Sequence, residues 1–271
     1  MSTAADCLVP LFVPGDRPDR FAKAAASGAD AVILDLEDAV APGAKEMARG
    51  ALRADFTALP VLVRINGIGT LWHADDMAAL SGHGFAGVIV PKAEGGEGFA
   101  ALCAAASLPV VALIESARGL AEARRIAATG NVVRLAFGSI DFCADLGCAH
   151  TREALLAARS ELVLASRLAG LAAPIDGVTT ALDDAAVIKG DARHAQELGF
   201  GAKLCIHPRQ IEAIRAGFAP EAAEIAWARK VLAGGDGAVA IDGAMIDEPV
   251  RIRARAVLRR ALTAAEDGAT A

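Results

Sequence analysis

Ala31-Val32-Ile33-Leu34-Asp35-Leu36-Glu37 is the run on which the reading of this chain turns. Its first four residues are all apolar, so a strand built from them has no face suited to water. Strands of that kind belong to parallel sheets covered by helices on both sides. Similar runs recur at 8–14, 61–66, 87–92, 110–116, 134–142, 175–178 and 202–207, eight in all. Between them lie Ala-rich stretches that read as helices at about 17–27, 44–57, 70–81, 96–106, 117–128, 151–170, 183–198 and 208–216. Eight such units favour a closed (β/α)8 TIM barrel over an open doubly wound sheet.

Beyond the eighth unit come a helix near 220–233, a Gly-rich turn at 234–237 and a last helix from about 248 to 265. These read as a short C-terminal helical appendage, giving a barrel over 1–218 and an appendage over 219–271. The closing Asp267-Gly-Ala-Thr-Ala271 reads as frayed. A barrel needs about 250 residues, so the 271 residues here hold one with little to spare.

Hydrophobic residues make up 54% of the chain and charged ones 22%, enough apolar material for a full core. The net charge of −6 argues against a dedicated nucleic-acid binder. No apolar stretch reaches the ~18 residues of a membrane span, and the start has neither a basic region nor a long apolar one. The expectation is a soluble, cytoplasmic protein. The five cysteines form no Cys-x-x-Cys, so a zinc site is not expected, and Cys205 reads as a small core residue.

The chemistry is read from the strand ends, because barrel enzymes carry their sites at the C-terminal rim. Strand 2 ends in Asp35, Glu37 and Asp38; strand 3 carries Arg64 and Asn66; strand 4 ends in Lys92. Strand 5 ends in Glu115-Ser116, strand 6 in Phe137-Gly-Ser-Ile-Asp141, and strand 8 in His207-Pro208. Buried charges are costly unless paired or bound to metal, so their convergence on one rim indicates either a site or a ring of structural ion pairs. Glu115 and Asp141, at the ends of neighbouring strands with no His or Cys companion, suit a hard cation such as Mg²⁺, or Mn²⁺ next. Arg64 has the fork to grip a carboxylate, or else pairs with Glu37 or Asp38 across the rim. Arg17, Arg20 and Lys23 cluster at a helix N-terminus, which is an anion site or a solvated basic face.

With these residues in hand, the chain resembles the citrate lyase β-subunit-like (CitE-like) enzymes of the HpcH/HpaI aldolase/citrate lyase family. The resemblance runs from Leu11-Phe-Val-Pro-Gly-Asp-Arg-Pro18 to Met245-Ile-Asp-Glu-Pro249. Between them stand Leu34-Asp-Leu-Glu-Asp-Ala-Val40, Val63-Arg-Ile-Asn66, Val90-Pro-Lys92, Leu113-Ile-Glu-Ser116, Phe137-Gly-Ser-Ile-Asp141 and Cys205-Ile-His-Pro208. It implies a barrel of the phosphoenolpyruvate/pyruvate-binding type, in trimers or hexamers, with Mg²⁺ on Glu115 and Asp141. It implies that Arg64, with Gly138 and Ser139 beside it, binds an oxaloacetate- or glyoxylate-like keto acid. Glu37 matches an acid near the arginine and metal-bound water, and Arg17, Arg20 and Lys23 match positions that hold coenzyme A phosphates. Asp247 matches an acid that serves the neighbouring subunit's site as acid or base; a cap for the following helix is the other reading. Ser139-Ile140 departs from the expected small-then-polar pair, a change that bears on substrate fit.

The activity expected is Mg²⁺-dependent cleavage, or Claisen-type formation, of a malyl-, citramalyl- or citryl-type CoA thioester, with acetyl-CoA and an α-keto acid as the other side. Three other readings stay open: a malyl-CoA-type thioesterase, a free-acid pyruvate-dependent aldolase, and a citrate lyase subunit active only with its complex partners.

Overall fold

The computed structural model describes residues 4–234, 239–241 and 244–269. They form two compact units, Met1–Ile214 and Arg215–Ala271. The first holds eight parallel strands in sequence order: β1 Pro10–Pro14, β2 Ala31–Asp35, β3 Val61–Arg64, β4 Gly87–Val90, β5 Val110–Ile114, β6 Val132–Phe137, β7 Ile175–Asp176 and β8 Ala202–Lys203. The ring closes where β8 returns to β1. Lys203 and Cys205 donate their N–H groups to Leu8 and Pro10, and Phe12 donates to Cys205, with Leu11 and Cys205 bridged in parallel. This is the TIM barrel expected from the eight repeating units.

Side chains alternate in direction along a strand, and that alternation sorts the barrel. Ala31 and Ile33, Leu62, Ile89, Val111 and Leu113, Ala136, Ile175, Ala202 and Leu204 form one buried interior cluster. Val32, Leu34, Val63 and Val110 between them are equally buried, on the face that alternation turns toward the helices. The interior face continues upward in steps of two. Asp35 follows Ile33, Arg64 follows Leu62, and Glu115 follows Leu113. Each polar residue is thus the next inward position after the core ends. At the opposite end Arg134 caps the interior from below, donating to the backbone oxygens of Ala173 (2.7 Å) and Cys7 (2.8 Å).

Several elements differ from their expected bounds. Strand 6 was expected over 134–142, but β6 stops at Phe137 and Ser139–Leu146 is a helix. A stretch as short as Gly138-Ser-Ile-Asp-Phe142 does not distinguish a continuing strand from the first turn of a helix, and Asp141 lies in that first helical turn and not on a strand end. The helix expected at 17–27 is a turn of 3₁₀ helix, Pro18–Arg20, leading into the five-residue helix Phe21–Ala25. The helix expected at 117–128 is two short ones, Ala117–Ala121 and Ala123–Ala127. The helix expected from 151 begins at Leu156.

The second unit contains the helix Ala222–Ala233, β9 Val239–Ile241, β10 Ala244–Ile246 and the helix Glu248–Ala269. Its own core gathers Ala228, Val231, Ile246, Ala254 and Val257, with Trp227, Leu232, Val250 and Leu258 against them. A capping box between Glu221 and Glu224 starts the first helix. The antiparallel β9–β10 pair was not anticipated; three-residue strands carry too little periodicity to read. Asp267 to Ala269, expected to fray, are helical. Of the expected Gly-rich turn only Gly234 is described, and Thr270 and Ala271 lie outside the described residues. Among the described residues no helix is long and apolar enough to cross a membrane.

Candidate active site

A cavity of about 350 Å³ opens at the C-terminal rim of the barrel. Its lining mixes charged and polar residues, Asp35, Asp38, Arg64, Ser139, Glu115 and Asp141, with apolar ones, among them Phe12, Leu113, Phe137, Ile140, Val178, Leu204 and Ile206, and Gly138. The structure therefore brings Arg64, Glu115, Gly138, Ser139 and Asp141 together in one place, as the strand ends suggested.

Arg64 is held rigidly. Asp35 stands directly opposite it in the β2–β3 register and accepts two hydrogen bonds, from Nε (2.7 Å) and Nη2 (2.6 Å). Nη1 lies 3.0 Å from Glu37 Oε2, and the guanidinium stacks 4.8 Å from the Phe12 ring centre. Burial works against the charge, but the Asp35 hydrogen bonds and the neighbouring carboxylates outweigh it and raise the Arg64 pKa. The expected partners were Glu37 or Asp38; the structure chooses Asp35 and Glu37. The two bonds to Asp35 use two of the five guanidinium N–H donors, so donors remain for a bound carboxylate.

Glu37 sits in the loop after β2, and a set of lysine contacts fixes that loop. The buried Lys45 ammonium donates to the backbone oxygens of Leu36 (2.6 Å) and Glu37 (2.8 Å) and to Asn66 Oδ1 (2.8 Å), using all three of its protons. Asn66 is held in turn by Asp76, which also accepts from Arg49. Lys92 Nζ meets Glu37 Oε1 at 2.7 Å. Burial nevertheless raises the Glu37 pKa against the pull of Arg64 and Lys92. Lys92 is itself strained, with a left-handed φ of 48° that lysine seldom adopts. That conformation aims its backbone N–H at Glu115 Oε1, 2.7 Å away.

Glu115 is 3% exposed. Burial, then the charges of Glu37 and Asp141, push its pKa up to about 8. Its ionised form is under-compensated, and a divalent cation between it and Asp141 would correct that deficit. Gly138 leaves the space free: a Cβ there would lie 2.3 Å from Glu115 Oε2 and 2.5 Å from Glu115 Cβ. Gly177 does the same for Ser139, whose Oγ would be 2.2 Å from an added Cβ. Among the described residues no group of three or more His, Cys, Asp or Glu is arranged to hold a metal. Two carboxylates with positions left for water and substrate are the arrangement a hard cation accepts, so the residues present fit Mg²⁺ or Mn²⁺.

Sequence reasoning missed a buried triad near this wall. Asp176, on β7, accepts from Arg159 Nε (2.8 Å) and Lys203 Nζ (2.9 Å), and Lys203 also donates to Gly177 O (2.6 Å). A lysine inside the apolar run Ala202-Lys-Leu-Cys-Ile206 was the signal available. His150 Nε2 lies 2.9 Å from Ser139 Oγ; burial and the charges of Arg159 and Lys203 lower its pKa. Cys205 is buried and its pKa is pushed up to about 12 by burial, which keeps it an inert thiol.

Arg17, Arg20 and Lys23 are not among the residues lining this cavity. Arg17 is hydrogen-bonded to Asp19 through Nε and Nη2, and Arg20 and Lys23 are exposed. The five-residue helix behind them offers less dipole than the expected eleven-residue one. Asp247 belongs to the second unit, where its Oδ1 accepts from Val250 N at 3.4 Å and its carbonyl accepts from Arg251 N, so it caps the last helix.

Residues 8–208 match the model of the HpcH/HpaI aldolase/citrate lyase family. The chain belongs to this family. A citrate lyase subunit beta-like protein of Mycobacterium tuberculosis is 43% identical over 263 residues, covering 93% of this chain and 94% of its own. A (3S)-malyl-CoA thioesterase of Cereibacter sphaeroides is 33% identical over 276 residues, covering 96% of each. Among solved structures, CitE from Mycobacterium tuberculosis in complex with magnesium, acetoacetate and coenzyme A superposes with a TM-score of 0.86 at 40% identity, covering 95% of this chain and 98% of that one. The HpcH/HpaI family is one of lyases and aldolases, and the barrel seen here is the fold of these CitE structures.

Proposed function

We propose that the chain is a divalent-metal-dependent carbon–carbon lyase acting on a malyl-, citramalyl- or citryl-type CoA thioester and yielding acetyl-CoA and an α-keto acid. The observation that supports this most is the meeting of Glu115, Asp141 and a preorganised Arg64 around one cavity at the barrel rim. The magnesium, acetoacetate and coenzyme A bound by the solved CitE relative point the same way.

In this reading Glu115 and Asp141 hold Mg²⁺, with Mn²⁺ as a substitute. The ion supplies Lewis acidity at the substrate oxygens and offsets carboxylate charge. Arg64 binds the keto-acid carboxylate with its free N–H donors, and Asp35 and Phe12 keep the guanidinium from turning away. Lys92 and Lys45 hold Glu37 against Arg64, where its carboxylate takes part in orienting water and the arginine. In the cleavage direction the hydroxyl proton leaves to a base and the bond to the thioester α-carbon breaks. Its electron pair stays on that carbon, which is then protonated. Asp247 of a neighbouring copy in a trimer or hexamer is the candidate acid or base, and Arg17, Arg20 and Lys23 hold the CoA phosphates.

The test is incubation of the purified protein with Mg²⁺ and each thioester, with EDTA controls and mass-spectrometric product analysis. Acetyl-CoA plus a keto acid, lost on chelation, is the expected result. Free CoA plus the intact hydroxy acid would replace the lyase with a thioesterase, a reading favoured by the Cereibacter relative. Turnover of free acids alone would leave an aldolase, and turnover only with added partner subunits would leave a component of a complex.

A further inference from the structure

Cys143 and Cys148 are brought onto each other by the way the helix Ser139–Leu146 ends. Gly147 adopts the left-handed φ of 70° that stops the helix. The N–H groups of Gly147 (2.9 Å) and Cys148 (3.1 Å) then both return to the carbonyl of Cys143. The second of these is the six-to-one bond of a Schellman cap, a turn that packs the side chains of its two end residues together. Both end residues here are cysteines. Cys143 is buried and Cys148 half-buried. Burial, then contact with the Cys148 thiol, push the Cys143 thiol up to about 11. A disulfide needs Cα atoms within about 7 Å of each other, and a direct backbone hydrogen bond keeps these two residues about that close. The other cysteines are placed differently: Cys7 and Cys205 turn their thiols to the carbonyls of Ala4 and His207, and Cys103 is buried.

We propose that Cys143 and Cys148 are a site of oxidative modification, closing to an intramolecular disulfide when the folded protein meets a hydroperoxide. The more accessible Cys148 sulfur attacks one peroxide oxygen. The O–O bond breaks, the other oxygen leaves as water with the Cys148 proton, and Cys148 becomes a sulfenic acid. The Cys143 sulfur attacks that sulfenic sulfur, the S–O bond breaks, and hydroxide leaves with the Cys143 proton as a second water. With hydrogen peroxide, two thiols and one oxidant give one disulfide and two waters, the sulfurs oxidised and the peroxide reduced. The backbone needs no rearrangement, because the cap already holds the two residues together in the reduced protein. The inference goes beyond the lyase reading, in which neither sulfur takes part.

Mass spectrometry of the folded full-length protein after treatment with hydrogen peroxide tests this. Trypsin cuts after Arg134 and Arg152 and nowhere between them, so both cysteines fall in one peptide, residues 135–152. That peptide should become lighter by two hydrogens and resist alkylation, and a dithiol reductant should reverse both changes. Cys7, Cys103 and Cys205 should stay open to alkylation once the protein is unfolded. The oxidised protein should unfold at a Tm no lower than that of the reduced one. In Cys143→Ser the two-hydrogen loss should vanish and Cys148 should accumulate as sulfenic and sulfinic acid, having no sulfur to resolve it. Overturning results are a Cys148 oxidised while Cys143 still takes alkylating reagent in the unaltered protein, a linkage that forms only in denaturant, or a Tm that falls on oxidation.

Discussion

Gly138→Ala places one methyl group where the cavity has no room for it. The added Cβ would stand 2.5 Å from Glu115 Cβ and 2.3 Å from Oε2, against an ordinary contact of 3.4 Å or more. Glu115 Cβ is anchored to the barrel, so a rotamer change cannot relieve the clash. The two rim segments must part by roughly 1 Å, at a cost of about 1–3 kcal/mol for overpacking. For a chain of this size that lowers Tm by roughly 2–12 °C. The displaced carboxylate is one of the two proposed metal ligands, so Mn²⁺ affinity should weaken at least about tenfold, or about 1.4 kcal/mol. Calorimetric unfolding and Mn²⁺ titration read the two effects separately. Gly130→Ala, whose added Cβ meets nothing within 4 Å, is the control. A Gly138→Ala protein with unaltered Tm and Mn²⁺ affinity would refute the account of Gly138 as the space that Glu115 requires.

Arg64→Lys keeps the charge but loses the two-pronged bond to Asp35 and the stack on Phe12. Keto-acid affinity should fall at least about tenfold, and an unchanged dissociation constant would remove Arg64 from the site. Glu115 has a folded pKa of about 8 against an ordinary value of 4.5. In metal-free protein its contribution to stability is therefore fully present below about pH 4.5 and lost as pH rises through about 8. Chemical denaturation from pH 5 to 9 should show that decline, flattened in Glu115→Gln; identical slopes in the two proteins would contradict it. The same group predicts that Mg²⁺ binding at pH 7 releases a proton, visible as a buffer-dependent heat of binding. Asp176→Asn strips the charge that neutralises two buried cations, Arg159 and Lys203. It should cost about 3–5 kcal/mol, and a loss in urea unfolding below about 1 kcal/mol would show that the triad is not a structural unit.

The rim was legible because a charge is conspicuous in an apolar strand. Asp35, Arg64, Glu115 and Lys92 could each be picked out by that contrast alone. Asp141 was also found, though on the wrong element, since β6 stops at Phe137 and the few residues from Gly138 to Phe142 are too short a window to show a helical period. Lys45 and Asp76 escaped notice because they sit in stretches that read as exposed helix. Their burial follows only from the packing of those helices against the loop that carries Glu37.

By itself, the order of residues determined the eight-unit barrel and the inward-facing positions at which its core gives way to charge. Strand periodicity and strand length are local properties, settled over five or six neighbours. Tertiary structure alone decided which charges meet. Arg64 takes Asp35 because the β2–β3 register sets them side by side, and Lys92 reaches Glu115 because its strained backbone turns the N–H that way. It also decided that Ile140 faces the cavity, a consequence of the helical turn after Gly138. Pairing of this kind depends on strand stagger and loop path between residues far apart in the chain, and neither is written in any short window of sequence.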